Sequence, residues 1–232
     1  MPRKPYGLFC PVSKACEELE PRWTIQILGE LWDGSTRFNE IRRGVPGIST
    51  GLLSKRLKEM QAKGLVERVE DPATGAIDYF RTKKAEELDD ILVALGHWAQ
   101  KNIKAEIALE DRDASTLMWT LRKKILDEEL PKKRNVLRFN FGDALPPCST
   151  YWLITKPGEP AEICVSDPGF DIDLFIETDV TVMSGIYLGR RRLAREIEDG
   201  RLFLSGDARI AKTMDRWLKL SVYAETDGIA LA

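Results

Sequence analysis

Along the first hundred positions, apolar residues recur at helical spacing and are interrupted by turns that contain Gly or Pro. This spacing predicts three short amphipathic helices, over residues 12–19, 22–32 and 37–43. Pro21 is expected to open the second, because proline is well tolerated in a first helical turn. A long helix is expected further on, with an apolar stripe formed by Leu88, Ile91, Leu92, Leu95, Trp98, Ala99 and Ile103.

Residues 47–69, GISTGLLSKRLKEMQAKGLVERV, predict a fourth helix followed by a strand. The buried stripe of this helix has i, i+4, i+7 spacing and consists of Leu53, Leu57 and Met60. Its opposite side carries small hydroxyl and basic residues. Apolar and charged residues alternate over 65–70, as in a half-buried strand, and residues 76–82 are expected to return as its partner, with the turn-forming DPATG between them. This pattern predicts a two-stranded hairpin.

The second half of the chain differs in its pattern. A helix is expected over residues 116–126, and strand-like runs occupy 135–141, 150–155, 161–165, 171–177 and 201–205. Further helices are expected over 180–188, 193–199 and 207–218. Strands gathered between helices indicate an α+β domain with a mainly antiparallel sheet. The charged segment 106–114 lacks an apolar face, so it is the predicted junction between domain 1–105 and domain 114–221.

Composition narrows the class of protein. The 232 residues have room for two domains, and no apolar run approaches the length of a membrane span. The N-terminal residues lack the apolar core of a signal peptide, so a cytoplasmic protein is expected. The four cysteines have no close C-x-x-C spacing and only one histidine to join them, which argues against a zinc site. We expect no metal and no cofactor.

Charge is nearly balanced in both halves. Residues 1–104 hold 17 Lys and Arg against 15 Asp and Glu, and the remainder holds 18 against 22. A uniformly basic coat for nucleic acid is therefore excluded, and any DNA contact must come from locally clustered basic residues.

Three helices, a Pro-Gly turn, a fourth helix and a hairpin form the order of a winged helix-turn-helix. Such a helix fits the major groove, where small polar residues let the backbone approach base edges, while Lys and Arg contact phosphates. The candidate DNA-binding residues are Ser49, Thr50, Gly51, Ser54, Lys55, Lys58, Arg37, Arg42, Arg43 and Arg68. The alternative is an ordinary solvated face, with Gly51 small only to avoid a clash with the preceding helix.

The order and spacing of several short motifs in this half resemble the HxlR-type bacterial transcription regulators. The motifs are F-C-P-V at 9–12, R-W-T at 22–24, R-F-N-E-I at 37–41, P-G-I-S at 46–49, L-S-K-R-L at 53–57 and G-L-V-E-R at 64–68. Two departures are Glu20-Pro21 before R-W-T, where the family commonly has Gly, and Arg81 in the second wing strand, where it commonly has Leu.

The resemblance implies a homodimer that reads a palindromic site in double-stranded DNA with two helices about 34 Å apart. The long helix is expected to pair with the N-terminal segment of a second chain, or to pack on this chain's own C-terminal domain. The resemblance also implies that Cys10 can sense oxidants or electrophiles. Its alternative is a small residue packed beside the first helix.

The second half resembles the sterol-carrier-type lipid-binding fold through L-M-W-T-L-R, V-L-R-F-N-F, Y-W-L-I, Y-L-G and G-R-L-F-L-S-G. This resemblance implies an apolar cavity for a lipid or another apolar small molecule. The candidate lining residues are Leu117, Trp119, Leu121, Phe139, Trp152, Ile154, Phe175, Met183, Ile186 and Tyr187. The alternative is that these side chains fill an ordinary core.

No catalytic motif occurs in the second half, which has no histidine, no G-x-S-x-G and no phosphate-binding loop. An enzyme is therefore not expected. The sequence favours a ligand-responsive transcription regulator. Two other hypotheses remain open: a thiol-based redox regulator acting through Cys10 with a purely structural C-terminal domain, and a lipid carrier or accessory protein that does not bind DNA.

Overall fold

The computed structural model describes residues 6–104, 113–144 and 148–229. These residues form two compact units, and the division falls between Asp90 and Ile91. The sequence had suggested a later junction, within 106–114, most of which lies outside the described residues. Helices and a mixed sheet are both present, so the predicted α+β class is confirmed.

The first unit contains short helices and one hairpin. Its elements are α1 (Pro11–Leu19), α2 (Thr24–Trp32), α3 (Phe38–Gly44), α4 (Thr50–Ala62), β1 (Val66–Glu70), β2 (Ile77–Arg81) and α5 (Lys83–Glu86). Strands β1 and β2 pair antiparallel, with Arg68 opposite Tyr79. The apolar stripes of α2, α3 and α4 meet in one buried cluster that includes Ile27, Ile41, Leu53, Leu57 and Met60.

Helix α2 begins later than the sequence predicted. Trp23 has φ of 84°, in the left-handed region, and therefore stands outside the helix as its N-cap. Left-handed backbone is uncommon for a bulky residue. The Trp23 ring packs against the core of the first unit, and the Arg22 guanidinium lies 4.7 Å from the ring centroid. Pro21 therefore precedes a turn rather than opening the helix.

The second unit is built around a five-stranded sheet. After α6 (Asp89–Asn102), which crosses the division, its elements are α7 (Ala114–Arg122), a 3-10 turn (Asp127–Glu129), β3 (Asn135–Phe141), β4 (Thr150–Lys156), β5 (Glu159–Cys164), β6 (Leu174–Thr178), α8 (Val180–Tyr187), α9 (Leu193–Glu198), β7 (Leu202–Gly206), α10 (Ala208–Lys212) and α11 (Met214–Trp217). The strand order is β5-β4-β3-β6-β7. Three of its four strand pairs are antiparallel, and β3 with β6 is parallel.

The last predicted helix, 207–218, is broken into α10 and α11. At Thr213 the backbone leaves helical geometry (φ −110°, ψ 20°), and the Thr213 hydroxyl donates to the Arg209 carbonyl. The break turns Trp217 fully inward, where its Nε1–H donates to the Ile210 carbonyl at 2.8 Å.

Alternation along the strands separates two faces of the sheet. One face carries Leu137, Phe139 and Leu153 into a core shared with α7, α8 and α11. The opposite face, which we call the outer sheet face, carries Val136, Arg138 and Asn140 of β3 with their cross-strand neighbours. These neighbours are Thr150, Trp152 and Ile154 of β4, Glu162 and Cys164 of β5, Phe175 and Glu177 of β6, and Phe203 and Ser205 of β7.

Helix α6 has one packed side and one exposed side within the second unit. On the packed side, Gln100 donates to the Leu188 carbonyl at 2.7 Å. The apolar residues Ile91, Leu95 and Trp98 are 59%, 50% and 57% exposed. The predicted stripe is therefore only partly covered by the chain itself. Within the described ranges, no helix is both long and apolar enough to cross a membrane.

Candidate nucleic-acid interface

Helix α4 is anchored by its apolar side and by its N-terminus. Leu53, Leu57 and Met60 are almost completely buried, as their spacing predicted. At the start of the helix, the Ser49 hydroxyl oxygen accepts a hydrogen bond from the Leu52 amide at 3.3 Å. Ser49 therefore acts as the N-cap and satisfies one of the free amides of the first turn.

The opposite side of α4 brings together the predicted small and basic residues. Thr50, Gly51, Lys55 and Lys58 are exposed, and Ser54 is half-buried. A Cβ placed on Gly51 would have no heavy atom within 4 Å other than those of its chain neighbours and of the nearby backbone of α4. The suggestion that Gly51 avoids a clash with the preceding helix is therefore wrong, because the fold leaves room for a side chain there.

The lysines on this side differ in their ionic partners. Lys55 Nζ lies 3.9 Å from a Glu59 carboxylate oxygen, and Glu59 also pairs with Arg56. Arg56 additionally donates to the Arg22 carbonyl, so its role is internal. Within residues 6–104, 113–144 and 148–229, Lys58 makes no ion pair, which leaves its charge available to a partner.

The three arginines predicted around α3 lie at its two ends. Arg42 Nη1 donates to the Thr50 hydroxyl at 3.2 Å, which ties the end of α3 to the start of α4. Arg43 is its exposed neighbour. Arg37 instead lies at the N-terminus of α3, where its Nε is 2.8 Å from an Asp78 carboxylate oxygen.

Asp78 is a positioning residue that the sequence analysis missed. It accepts from the Thr36 hydroxyl at 2.7 Å as well as from Arg37, and it lies on wing strand β2. The Tyr79 amide also donates to the Thr36 carbonyl. These contacts fix the hairpin to the start of α3. Partners 42 positions apart leave no local signal in a sequence.

The wing itself is mainly acidic. Arg68, the predicted wing contact, pairs with Glu70 at 2.8 Å. At the tip, the hydroxyl of Thr74 and the amide of Ala73 hold the pKa of Asp71 below its usual value, so this carboxylate is charged at neutral pH. Exposed basic side chains therefore occur on α4 and at the end of α3, and the wing tip carries none.

The predicted ligand-pocket residues do not form one group. Leu117, Leu121, Phe139, Met183 and Ile186 lie in the core of the second unit, and Tyr187 packs against it. Trp152, Ile154 and Phe175 lie on the outer sheet face. Trp119 lies apart from both groups, with the Arg122 guanidinium 3.8 Å from its ring centroid.

Local periodicity explains this separation. Leu117 and Leu121 are four positions apart on α7, so they share a side of the helix that Trp119, between them, does not. Trp152 alternates with the core residue Leu153, and consecutive strand residues point to opposite faces of a sheet. The sequence therefore contained the signal that divides this set. The cavity itself stays a prediction.

Cys10 is exposed and occupies the N-cap position of α1. The backbone amides of Ser13 and Val12 lower the pKa of its thiol, because free amides at a helix N-terminus stabilise a thiolate. Because the Cys10 side chain is exposed, the alternative that it packs as a small residue beside α1 does not hold. Across the described parts of the chain, no three His, Cys, Asp or Glu side chains gather where they could hold a metal ion.

Comparison with known proteins places this arrangement in a family. The family model described as HxlR-like helix-turn-helix matches residues 18–107. The uncharacterized HTH-type transcriptional regulator YvaP of Bacillus subtilis is 40% identical over 93 residues, which are 39% of this chain and 86% of that protein. The chain belongs to the HxlR-like helix-turn-helix family.

Other relatives match the same part of this HxlR-like chain. The HTH-type transcriptional regulator YodB of Bacillus subtilis is 35% identical over 95 residues, or 40% of this chain and 85% of that protein. Among solved structures, the reduced form of YodB aligns at 33% identity with a TM-score of 0.38, covering 41% of this chain and 96% of that one. All ten candidate DNA-binding residues lie inside the matched HxlR-like segment.

Proposed function

We propose that this HxlR-like protein is a transcriptional regulator that binds double-stranded DNA through the exposed side of α4. The observation that carries the proposal is that Gly51 and Lys58 both lie on the exposed side of α4. One is a helical glycine with open space around it, and the other is a lysine with no ion pair in the described part of the chain. The relatives YvaP and YodB, named as HTH-type transcriptional regulators, support it.

In this proposal, α4 enters the major groove with its N-terminal residues towards the base edges. Gly51 lets the backbone approach closely, and Thr50 and Ser54 offer hydroxyl groups to the bases. Lys55, Lys58, Arg42 and Arg43 contact phosphates on either side. Arg37 and Arg68 contribute less than Lys55, because each lies 2.8 Å from a carboxylate oxygen, whereas Lys55 lies 3.9 Å from its own.

The experiment is fluorescence anisotropy with duplex DNA from the region upstream of the protein's own gene, at several salt concentrations. We expect Lys58→Glu to weaken binding about tenfold or more and to lower the slope of log K against log[salt] by about one. The control is Lys83→Glu, the same charge change at an exposed position of α5. Equal losses in both variants, or no loss in Lys58→Glu, would contradict the assignment.

We further propose that the regulator is a homodimer that reads a palindromic site. Ile91, Leu95 and Trp98 of α6 form an exposed apolar stripe at i, i+4 and i+7. In the N-terminal segment, Phe9 is 99% exposed and Val12 is 70% exposed. Contiguous exposed apolar surface of this kind is typical of protein interfaces, so we assign the two surfaces to contact between copies.

The sterol-carrier-like assignment of the second unit belongs to the same proposal. An apolar ligand held between the sheet and its helices would bias DNA binding. Of the predicted lining residues, six belong to the core of the second unit, so a lipid site between the sheet and its helices would open beside these six. They are Leu117, Leu121, Phe139, Met183, Ile186 and Tyr187. Native mass spectrometry of the full chain tests both points at once. We expect a mass of two chains, with an apolar molecule bound; an empty monomer would contradict both.

A second candidate function is redox sensing through Cys10, with a purely structural second unit. The lowered pKa of the exposed Cys10 thiol favours it, because the thiolate is the form that reacts with oxidants and electrophiles. We expect alkylation of Cys10 by iodoacetamide to rise with pH and to reach half its maximal rate at a lower pH than that of an ordinary exposed thiol. Mass spectrometry of digested samples measures this.

The functional test compares Cys10→Ser with Cys16→Ser, since both residues are exposed on or beside α1. We expect diamide to change DNA binding of the wild type and of Cys16→Ser, and to leave Cys10→Ser unaffected. The same response in all three proteins would rule out Cys10 as the sensor.

A further inference from the structure

Arg138 occupies the middle of the outer sheet face, between Trp152 on β4 and Phe175 on β6. Its guanidinium carbon is 5.6 Å from the ring centroid of Trp152 and 5.7 Å from that of Phe175. In the same unit, Arg122 and Arg134 approach aromatic rings to 3.8 and 4.1 Å. Arg138 therefore stands between two aromatic rings without lying tightly against either.

Two neighbouring N–H groups on this face lack acceptors. Arg138 Nε and Trp152 Nε1 are both buried and have no hydrogen-bond partner. Within residues 6–104, 113–144 and 148–229, the side chains of Arg138 and Trp152 make no hydrogen bond and no ion pair. Buried donors almost always have an acceptor, and a charged donor loses most when it has none. The described part of the chain therefore supplies no acceptor to either group.

A third donor lies beside them. Asn140 is two residues from Arg138 on the same strand, and its side-chain oxygen accepts from the Thr150 hydroxyl at 3.0 Å. This bond directs the amide nitrogen of Asn140 away from Thr150. Glu177, the neighbour of Asn140 on β6, is exposed and adds one negative charge to the face.

We propose that the outer sheet face binds a small organic monoanion, a carboxylate carried on an aromatic body. The aromatic body lies against the rings of Trp152 and Phe175, and the carboxylate oxygens accept from the Arg138 guanidinium and Trp152 Nε1 once small movements of these two side chains uncover their buried N–H groups. The negative charge of Glu177 disfavours binding of polyanions such as nucleic acid, because the single positive charge of Arg138 does not offset the repulsion between Glu177 and several phosphate groups. This binding is independent of the DNA-binding proposal.

The test is isothermal titration calorimetry of the full chain with 2-naphthoate. Two other probes separate its contributions: 2-naphthamide keeps the aromatic body without the charge, and acetate keeps the charge without the aromatic body. We expect saturable binding of 2-naphthoate at least about tenfold tighter than that of either probe, since charge-assisted hydrogen bonds are the stronger ones. Equal binding of 2-naphthoate and 2-naphthamide, or no binding of 2-naphthoate, would overturn the proposal.

Variants locate the site on the outer sheet face. We expect Arg138→Gln to weaken 2-naphthoate binding about tenfold or more, and Trp152→Phe to weaken it less, because only one donor is lost. The control is Arg134→Gln, which removes another arginine stacked on an aromatic ring in the same unit. Unchanged affinity in Arg138→Gln would overturn the proposal.

A different occupant would be visible in the same samples. Suppose that wild-type protein does not bind 2-naphthoate and that Arg138→Gln changes the mass measured by sedimentation equilibrium. The outer sheet face is then a contact between copies of this chain, and the proposal fails. Should Arg138→Gln not fold, the comparison of 2-naphthoate with 2-naphthamide on the wild type still decides.

Discussion

Gly51 in α4 and Gly206 at the end of β7 belong to different units and meet opposite surroundings. Around Gly51 the backbone is helical, and an added Cβ would meet no atom within 4 Å beyond its chain neighbours and the nearby backbone of α4. At Gly206, φ is 129° and an added Cβ would lie 2.3 Å from the Asp173 carbonyl oxygen. The fold requires a glycine at the second position and not at the first. Gly51 is therefore a position where the fold itself would accept a side chain.

The largest effect is expected from Gly206→Ala. The Cβ would force β7 away from the backbone of Asp173 while the residue keeps an unfavourable φ, so we expect the free energy of unfolding to fall by more than about 3 kcal/mol. Urea unfolding followed by circular dichroism measures this change.

The matched control for this variant is Gly158→Ala. Gly158 also has a positive φ, 75°, but an added Cβ would meet nothing within 4 Å. The free energy of unfolding of this variant should fall only by the cost of placing alanine in left-handed backbone, about 1 kcal/mol. If both variants lose the same stability, the close approach of β6 and β7 is not what makes Gly206 necessary.

A much smaller effect on stability, with the opposite sign, is expected from Gly51→Ala. Alanine favours a helix over glycine, so the free energy of unfolding should rise by up to about 1 kcal/mol. If α4 approaches base edges closely, the same methyl group should weaken DNA binding about fivefold or more, because it collides in the complex. Urea unfolding and fluorescence anisotropy measure the two effects separately.

Gly29→Ala is the control for this variant, since Gly29 is a helical glycine of α2 whose added Cβ would also meet nothing within 4 Å. It should be similarly stabilised and should bind DNA like the wild type. Equal DNA affinities in Gly29→Ala and Gly51→Ala would mean that Gly51 is not in close contact with DNA.

The winged helix was predictable because its signals are local. The spacing of Leu53, Leu57 and Met60 fixed the buried side of α4, and the exposed hydroxyl and basic residues followed on the other side. The predicted start of α2 was wrong, since no sequence pattern identifies a tryptophan with left-handed backbone. Asp78 was missed for a related reason: its partners Thr36 and Arg37 are distant in the chain.

The second unit was predicted less completely. Strand alternation located the sheet, but residues from both of its faces were assigned to one pocket. Trp152 and Phe175 are large and apolar, which suggested a core position. Their alternation with Leu153 and Leu174 places them on the outer sheet face beside Arg138. Hydrophobicity alone does not tell the two faces of a sheet apart.

By itself the sequence determined the two-part organisation, the α+β class, the order of the winged helix and the side of α4 that faces outward. These follow from periodicity and turn residues, which act over a few positions. The three-dimensional structure was needed to show that Gly51 has open space around it. It was also needed to show that, among the described residues, Lys58 has no ion pair and the buried Nε of Arg138, between two rings, has no acceptor. These properties depend on atoms brought together from distant positions, and local sequence pattern carries no record of such distances.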